Sequence, residues 1–426
     1  MNRLFHLTRS PLQKTVLLAM ALLLVGSTAS ASCADFADVI DQGAYGVADI
    51  GGTVRQGCNL DTPFIPASLL KISTALAALE VLGPNYRFRT EFFLDRSGNL
   101  FIRGFGDPLL VSEEVALIAA VLRERGLDQV DAVFIDDQAY HLEGPVPGSE
   151  HSTNPYDAPV APTSVNFNSV PFNIGTDGTM SSGESQTPML PLMREFAAGR
   201  SPGRYRINIC YDGADAATRA ARYAAELFSE ILRQQGSSVI GRVGRGRVPP
   251  GAKRVHVHES TRSLEETCSI MLRYSSNFIA NQLYLTIGAE TFGYPATWDK
   301  AKRAVAAVLR RHLGKEVAAG IIQQEGAGLS RENRLDARTM LALLGAFKPF
   351  ARLLHPRENV LLKTGTMENI YNFAGYLEDG SPFVILLNQE ANTRTAVLRR
   401  LRQAAGRTDT SVRETTALSA EKAGMQ

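Results

Sequence analysis

A helix that is apolar on nearly every side has to be walled in by other elements, and residues 66–82 describe one. Pro66 opens it, Leu69, Leu70, Ile72, Ala75, Leu76 and Leu79 spread around its circumference, and Gly83-Pro84 stops it. The chain must therefore fold in layers around this helix. Its first turn carries Ser68-Leu69-Leu70-Lys71, with serine and lysine three residues apart and so on one face.

A serine hydroxyl is almost never ionised near neutral pH and needs a base within about 3 Å. Lysine is charged by default. Burial and a neighbouring cation lower its pKa and free the amine to accept a proton. The helix start adds free N–H groups and positive potential, which favour an anion at Ser68. Two further triplets complete a set. Ser275-Ser276-Asn277 lies in a helical stretch, and Lys363-Thr364-Gly365 opens a strand. Ser275 can relay a proton between Lys71 and a leaving-group nitrogen. Asn277 offers a donor and an acceptor to a substrate amide. Lys363 supplies the cation beside Lys71 and, with Thr364, holds a terminal carboxylate. Gly365 lets substrate approach the backbone, and the Thr366 N–H joins that of Ser68 as an oxyanion donor. These parts make a serine acyltransferase without histidine.

The first 31 residues read as a secretory signal peptide. Arg3, Arg9 and Lys14 precede the uncharged apolar run Thr15 to Val25, and Ala29-Ser30-Ala31 is a small-residue cleavage pattern before Ser32. The apolar run is short of the roughly 20 residues a spanning helix needs. Lipidation of Cys33 is disfavoured, because Ser30 stands where a lipobox takes leucine. Removal of the leader takes away three cations and no acid, so the formal charge goes from +2 to −1. That balance argues against nucleic acid or an acidic membrane surface as partner. Export makes disulfides plausible among Cys33, Cys58, Cys210 and Cys268. Proximity along the chain pairs Cys33 with Cys58 and Cys210 with Cys268, with four buried thiols as the alternative.

Strands are expected at Val39-Ile40 and Tyr45 to Ile50. After the apolar helix, Arg87 to Leu94 and Leu100 to Arg103 flank a hairpin turn, and Val133 to Ile135 and Tyr205 to Cys210 are further strands. Asn173 to Thr187 is a glycine- and serine-rich loop, and Pro249-Pro250-Gly251 closes the region. Helices follow at Leu264 to Gly288, Pro295 to Leu313 and Thr339 to Phe347, then strands at Val360 to Leu362, Phe373 to Leu377 and Phe383 to Leu387. A last helix spans Thr395 to Ala405, before a polar tail read as disordered. The expected division is signal peptide 1–31, a catalytic domain from 32–84 plus 252–405, an inserted mainly β segment 85–251, and a tail 406–426.

Other chemistries find little support. His256-x-His258 puts two imidazoles on one strand face, but no third ligand accompanies them and no Cys-x-x-Cys exists, so no metal or other cofactor is expected. No Gly-x-Ser-x-Gly is present. Asp136-Asp137 ends a strand.

With these motifs the chain resembles the low-molecular-mass penicillin-binding proteins of the D-Ala-D-Ala carboxypeptidase and endopeptidase type (class C), which carry a large insert. The likeness runs through Pro66 to Lys71, Val81 to Thr90, Gly104-Phe105-Gly106-Asp107-Pro108, Ala158-Pro159-Val160, Asn166-Phe167-Asn168, Gly328-Leu329-Ser330-Arg331 and Ala374-Gly375-Tyr376. It implies an α/β (α+β) fold, an antiparallel sheet with helices on both faces, interrupted by the insert. It also implies Ser68 as acylated nucleophile, Lys71 as base, Ser275 and Asn277 as second element and Lys363 as third. Arg331 and Tyr156 are implied as substrate-pocket residues. Peptidoglycan stem peptides and β-lactams are the implied partners, and the periplasm the implied location. The chain departs from the family pattern at Ser276, at Glu325-Gly326-Ala327-Gly328, at Glu368-Asn369, and at Glu150-His151, where relatives that read a side-chain amine carry aspartate. A catalytically silent binding protein on this fold is the runner-up. A β-lactamase or esterase would need a deacylating glutamate, and no Glu-x-x-Leu-Asn occurs.

Overall fold

The computed structural model describes residues 33–150 and 152–404. The leader, His151 and the polar tail lie outside the described residues.

The main sheet is six-stranded and antiparallel throughout, in the order His355–Arg357, Val360–Met367, Ile370–Tyr376, Pro382–Leu387, Gly43–Ala48, Val54–Cys58. Its central strand Pro382–Leu387 is buried along its whole length. Val384 and Leu386 face one core while Phe383, Ile385 and Leu387 face another, which explains an unbroken apolar run in place of alternation. The first core contains the helices Leu70–Leu82, Asn277–Phe292, Trp298–Leu313 and Ala337–Phe347. The second is closed by Phe36 and by Val397, Leu398 and Leu401 of the helix 394–404. The sheet thus has helices on both faces. The Leu70–Leu82 helix is enclosed, with residues 70–79 all buried.

The segment between this helix and Leu264 builds a core of its own. Its five-stranded sheet runs Val243–Arg245, Val133–Asp136, Leu100–Gly104, Arg89–Leu94, Lys253–Glu259, and a three-stranded sheet joins Met180–Ser182, Ser169–Ile174 and Gly203–Asn208. Two helices, Ser112–Glu124 and Ala216–Gln234, pack on these strands through residues such as Val115, Leu122, Phe228 and Leu232. Lys253–Glu259 pairs with Arg89–Leu94, so the second sheet closes beyond the Gly251 end expected for the insert. On that strand His256 stacks against Phe92 at 5.7 Å and His258 Nε2 lies 2.7 Å from Glu114 Oε1. Asp136 ends its strand paired to Arg103 at 2.8 Å.

Four local expectations are corrected. Val39-Ile40 follows a short 3-10 helix, Cys33–Phe36, as a turn and not a strand. The glycine-rich loop contains the edge strand Met180–Ser182. The helix expected over Leu264 to Gly288 is two helices, Leu264–Tyr274 and Asn277–Phe292. Cys33 and Cys58 are bonded, but Cys210 and Cys268 are free and buried. Cys210 belongs to the insert core and Cys268 to the main helical core, so nearness in sequence did not become nearness in space.

Candidate active site

Three elements deliver the site. The segment before Ser68 is pinned to the sheet: Asn388 Oδ1 accepts from Ile65 N at 2.8 Å, and Asn372 Nδ2 donates to Ile65 O at 2.9 Å. Ala67 takes the left-handed conformation (φ 48°), and Ser68 sits in the 3-10 turn Ala67–Leu69 that leads into the long helix. N–H groups of a first turn have no intrahelical acceptor. Gly365, on the strand beside it, packs against this segment: a Cβ there would stand 2.6 Å from Pro66 O. Strand-to-helix packing therefore accounts for a glycine at this position.

The second element is the break between helices. Ser275 adopts φ 55°, ψ 35° and caps the first helix, and Ser276 caps the second, its Oγ accepting from Ile279 N at 3.2 Å. This turn spends Ser276 on the backbone and leaves Ser275 and Asn277 to the site. The third element is the strand Val360–Met367, whose pairing with His355–Arg357 stops at Leu362, just before Lys363.

Lys71 is fully buried and has three oxygen neighbours at 2.8 Å: Ser68 Oγ, Asn277 Oδ1 and Ala327 O. The last two can only accept. An uncharged amine gives them its two N–H bonds and has one lone pair left, which faces Ser68 Oγ. Burial first, and the Lys363 charge second, hold Lys71 well below the usual lysine range, while Glu325 pushes the other way. Lys363 Nζ donates to Ser275 Oγ at 2.8 Å and to Thr364 O at 2.9 Å. Burial and then Arg394 bring its pKa down to about 7.

Thr366 is exposed on the same strand, and its Oγ1 accepts from Arg394 Nη1 at 2.7 Å. Thr364 is half-buried beside Lys363. The Tyr156 carbonyl accepts from Asn277 Nδ2 at 3.3 Å, which fixes the amide orientation that Lys71 requires, while the ring is exposed. Arg331 donates to Glu368 O at 3.1 Å and so bridges to the turn after the strand. The structure brings together Ser68, Lys71 and Asn277, and Lys363 with Ser275 and Thr364. Ser275 bonds Lys363 and not Lys71. Tyr156 and Arg331 stand at the margins. Sequence reasoning missed Arg394, which no spacing connects to residues 363–366. It also missed the Ala327 carbonyl, since backbone atoms leave no compositional signal. Among the described residues no group of three or more His, Cys, Asp or Glu could hold a metal ion.

Ser68, Lys71 and Lys363 thus converge beside a helix-walled sheet, where the strand Val360–Met367 runs on past its neighbour His355–Arg357, and the comparisons place the chain among peptidoglycan-acting hydrolases. The chain belongs to the D-Ala-D-Ala carboxypeptidase 3 (S13) family, whose model matches residues 52–198 and 213–355. It is 30% identical over 324 residues to a D-alanyl-D-alanine carboxypeptidase of Actinomadura sp. (strain R39), covering 66% of this chain and 60% of that protein. It is 24% identical over 383 residues to D-alanyl-D-alanine carboxypeptidase DacB of Haemophilus influenzae, covering 75% of this chain and 78% of that protein. Penicillin binding protein 4 (dacB) of Haemophilus influenzae has the same fold, with a TM-score of 0.69 at 19% identity over 87% of this chain and 99% of that one.

Proposed function

We propose that this protein is a D-alanyl-D-alanine carboxypeptidase and endopeptidase of peptidoglycan that works through a Ser68 acyl-enzyme and is trapped there by β-lactams. The observation that carries the reading is the Lys71 amine, fully buried and 2.8 Å from Ser68 Oγ, with acceptors on its other two neighbours. Ser68 Oγ attacks the carbonyl carbon of the penultimate D-alanine while Lys71 takes the hydroxyl proton. The Ser68 and Thr366 backbone N–H groups stabilise the oxyanion. As the C–N bond breaks, Lys71 gives the proton it took to the departing D-alanine nitrogen, while Ser275 stays bonded to Lys363 beside the leaving group. Water then cleaves the Ser68 ester. On a crosslink the same steps release a longer amine. Lys363, Thr364 and Thr366 receive the terminal carboxylate, with Asn277 on the substrate amide and Arg331 and Tyr156 at the pocket rim.

A periplasmic location is part of the proposal. It is supported by the leader, by a disulfide typical of oxidising compartments, and by the peptidoglycan substrate. Among the described residues no helix is long and apolar enough to cross a membrane.

A fluorescent penicillin should label the wild type covalently and leave Ser68→Ala unlabelled, and digestion of purified muropeptides should release D-alanine. An unlabelled wild type would point to a silent binding protein, and rapid turnover of the drug to a β-lactamase.

A further inference from the structure

The loop 325–330 reaches the base through one atom, the Ala327 carbonyl, which accepts from Lys71 Nζ at 2.8 Å. That bond matters for direction. Once Ala327 O and Asn277 Oδ1 have taken the two N–H bonds of the neutral amine, tetrahedral geometry leaves its lone pair one place to point. A shifted Ala327 carbonyl would turn the lone pair off Ser68.

Glu325 holds that carbonyl in place. It is a wholly buried carboxylate. Oε2 accepts from Ala327 N at 2.7 Å; Oε1 accepts from Leu329 N at 2.7 Å, Ser330 N at 3.3 Å and Asn333 Nδ2 at 2.9 Å. Asn333 Oδ1 in turn accepts from Gln324 N at 2.7 Å, so the amide that donates to the carboxylate also ties the two ends of the loop together. The same loop bears on the nucleophile. Gly328 has φ +80°, and a Cβ there would overlap the carbonyl of Ala67, the residue before Ser68. Thr74 Oγ1, one turn along the serine helix from Lys71, donates to Gly326 O at 2.7 Å.

We propose that Glu325 is a positioning residue of the acyl-transfer site, folding the 325–330 loop so that the Ala327 carbonyl aims the Lys71 lone pair at Ser68. The inference rests on the reading of Ser68 as nucleophile and Lys71 as base. Glu325 also acts by charge. The charged groups around Lys71 are Lys363 from the strand, which lowers its proton affinity, and Glu325 from the loop, which raises it; from the central helix Tyr284 faces Glu325 with its phenol held neutral. Loss of the carboxylate charge therefore makes Lys71 deprotonate at lower pH.

The test is the second-order rate of Ser68 acylation by a fluorescent penicillin, followed across pH on the full chain. Glu325→Gln keeps the shape but presents an NH2 to N–H donors and removes the charge. Its plateau should fall roughly tenfold to a hundredfold, the scale of a misplaced catalytic group. Its acid limb should also move to lower pH by about half a unit or more, as expected for a lost neighbouring charge. Glu325→Asp keeps the charge and loses reach. Its plateau should fall while its acid limb stays at the wild-type position. Either variant with a wild-type plateau overturns the inference, as does a limb that moves in both variants or in neither. Should thermal melting show Glu325→Gln unfolded, Glu325→Asp decides alone: a lowered plateau on an unmoved limb supports the proposal, and any other profile overturns it. A wild type that forms no adduct defeats the acyl-enzyme reading instead, which keeps the two failures distinct.

Discussion

At the scale of single residues the proposed mechanism depends on two lysines that burial treats alike and that it uses in opposite forms. Lys71 must be uncharged to take the serine proton, whereas Lys363 must be charged to receive a carboxylate. Lys363 is brought to about 7 by burial and by Arg394, so it loses its charge as pH rises through that value. Lys71 is itself held well below the usual lysine range by burial and by the Lys363 charge. Together they give kcat/KM for a substrate with a free C-terminal carboxylate a bell shape, with the alkaline limb belonging to Lys363. The same peptide capped as a C-terminal amide should lose most of that alkaline limb and keep the acid one. A limb of equal size on the amide would remove Lys363 from carboxylate binding.

The elements show why a side chain at the centre of a motif can be irrelevant to its chemistry. Ser276 lies between Ser275 and Asn277, both given roles in the proposed mechanism, yet its Oγ caps the Asn277–Phe292 helix through Ile279 N. Ser276→Ala should therefore cost about 1 kcal/mol of stability, the usual loss of a helix cap, and leave penicillin acylation within about threefold of wild type. A larger kinetic effect, measured beside a denaturant melt, would give Ser276 a role in the reaction. The helix break at Ser275 was missed because apolar residues lie on both sides of it, although the polar run Arg273 to Asn277 holds Ser276, a residue type favoured as a helix cap. A left-handed serine is a local conformation that only the surrounding packing selects. The helices Ser112–Glu124 and Ala216–Gln234 were legible in principle, since Val115, Ile118, Ala119 and Leu122 recur at helical spacing.

Across the whole molecule, the cysteines report how the chain is divided. Cys33–Cys58 joins residues 25 apart in sequence and ties the 3-10 turn Cys33–Phe36 to the edge strand Val54–Cys58. Opening it by Cys33→Ser, in a Cys58→Ser background so that no new thiol is left, should cost on the order of 3 kcal/mol. Cys210 and Cys268 are buried in separate cores, with both thiols pushed up by burial, Cys210 to about 12. An aromatic disulfide reagent should find no reactive thiol in the native, unreduced protein and two after unfolding. Two bonded pairs by mass mapping would contradict that arrangement. What the sequence alone determined is what local chemistry writes directly: an all-round apolar helix with serine and lysine one turn apart, buried strands, and three motifs whose residue types suit acyl transfer. Only the tertiary structure decided that Ser275 bonds Lys363, that Arg394 reaches Thr366, that Glu325 holds the loop touching Lys71, and which cysteines meet. Those pairings join residues far apart in sequence across a packed interior. A contact of that kind depends on where whole elements come to rest, which no short pattern encodes.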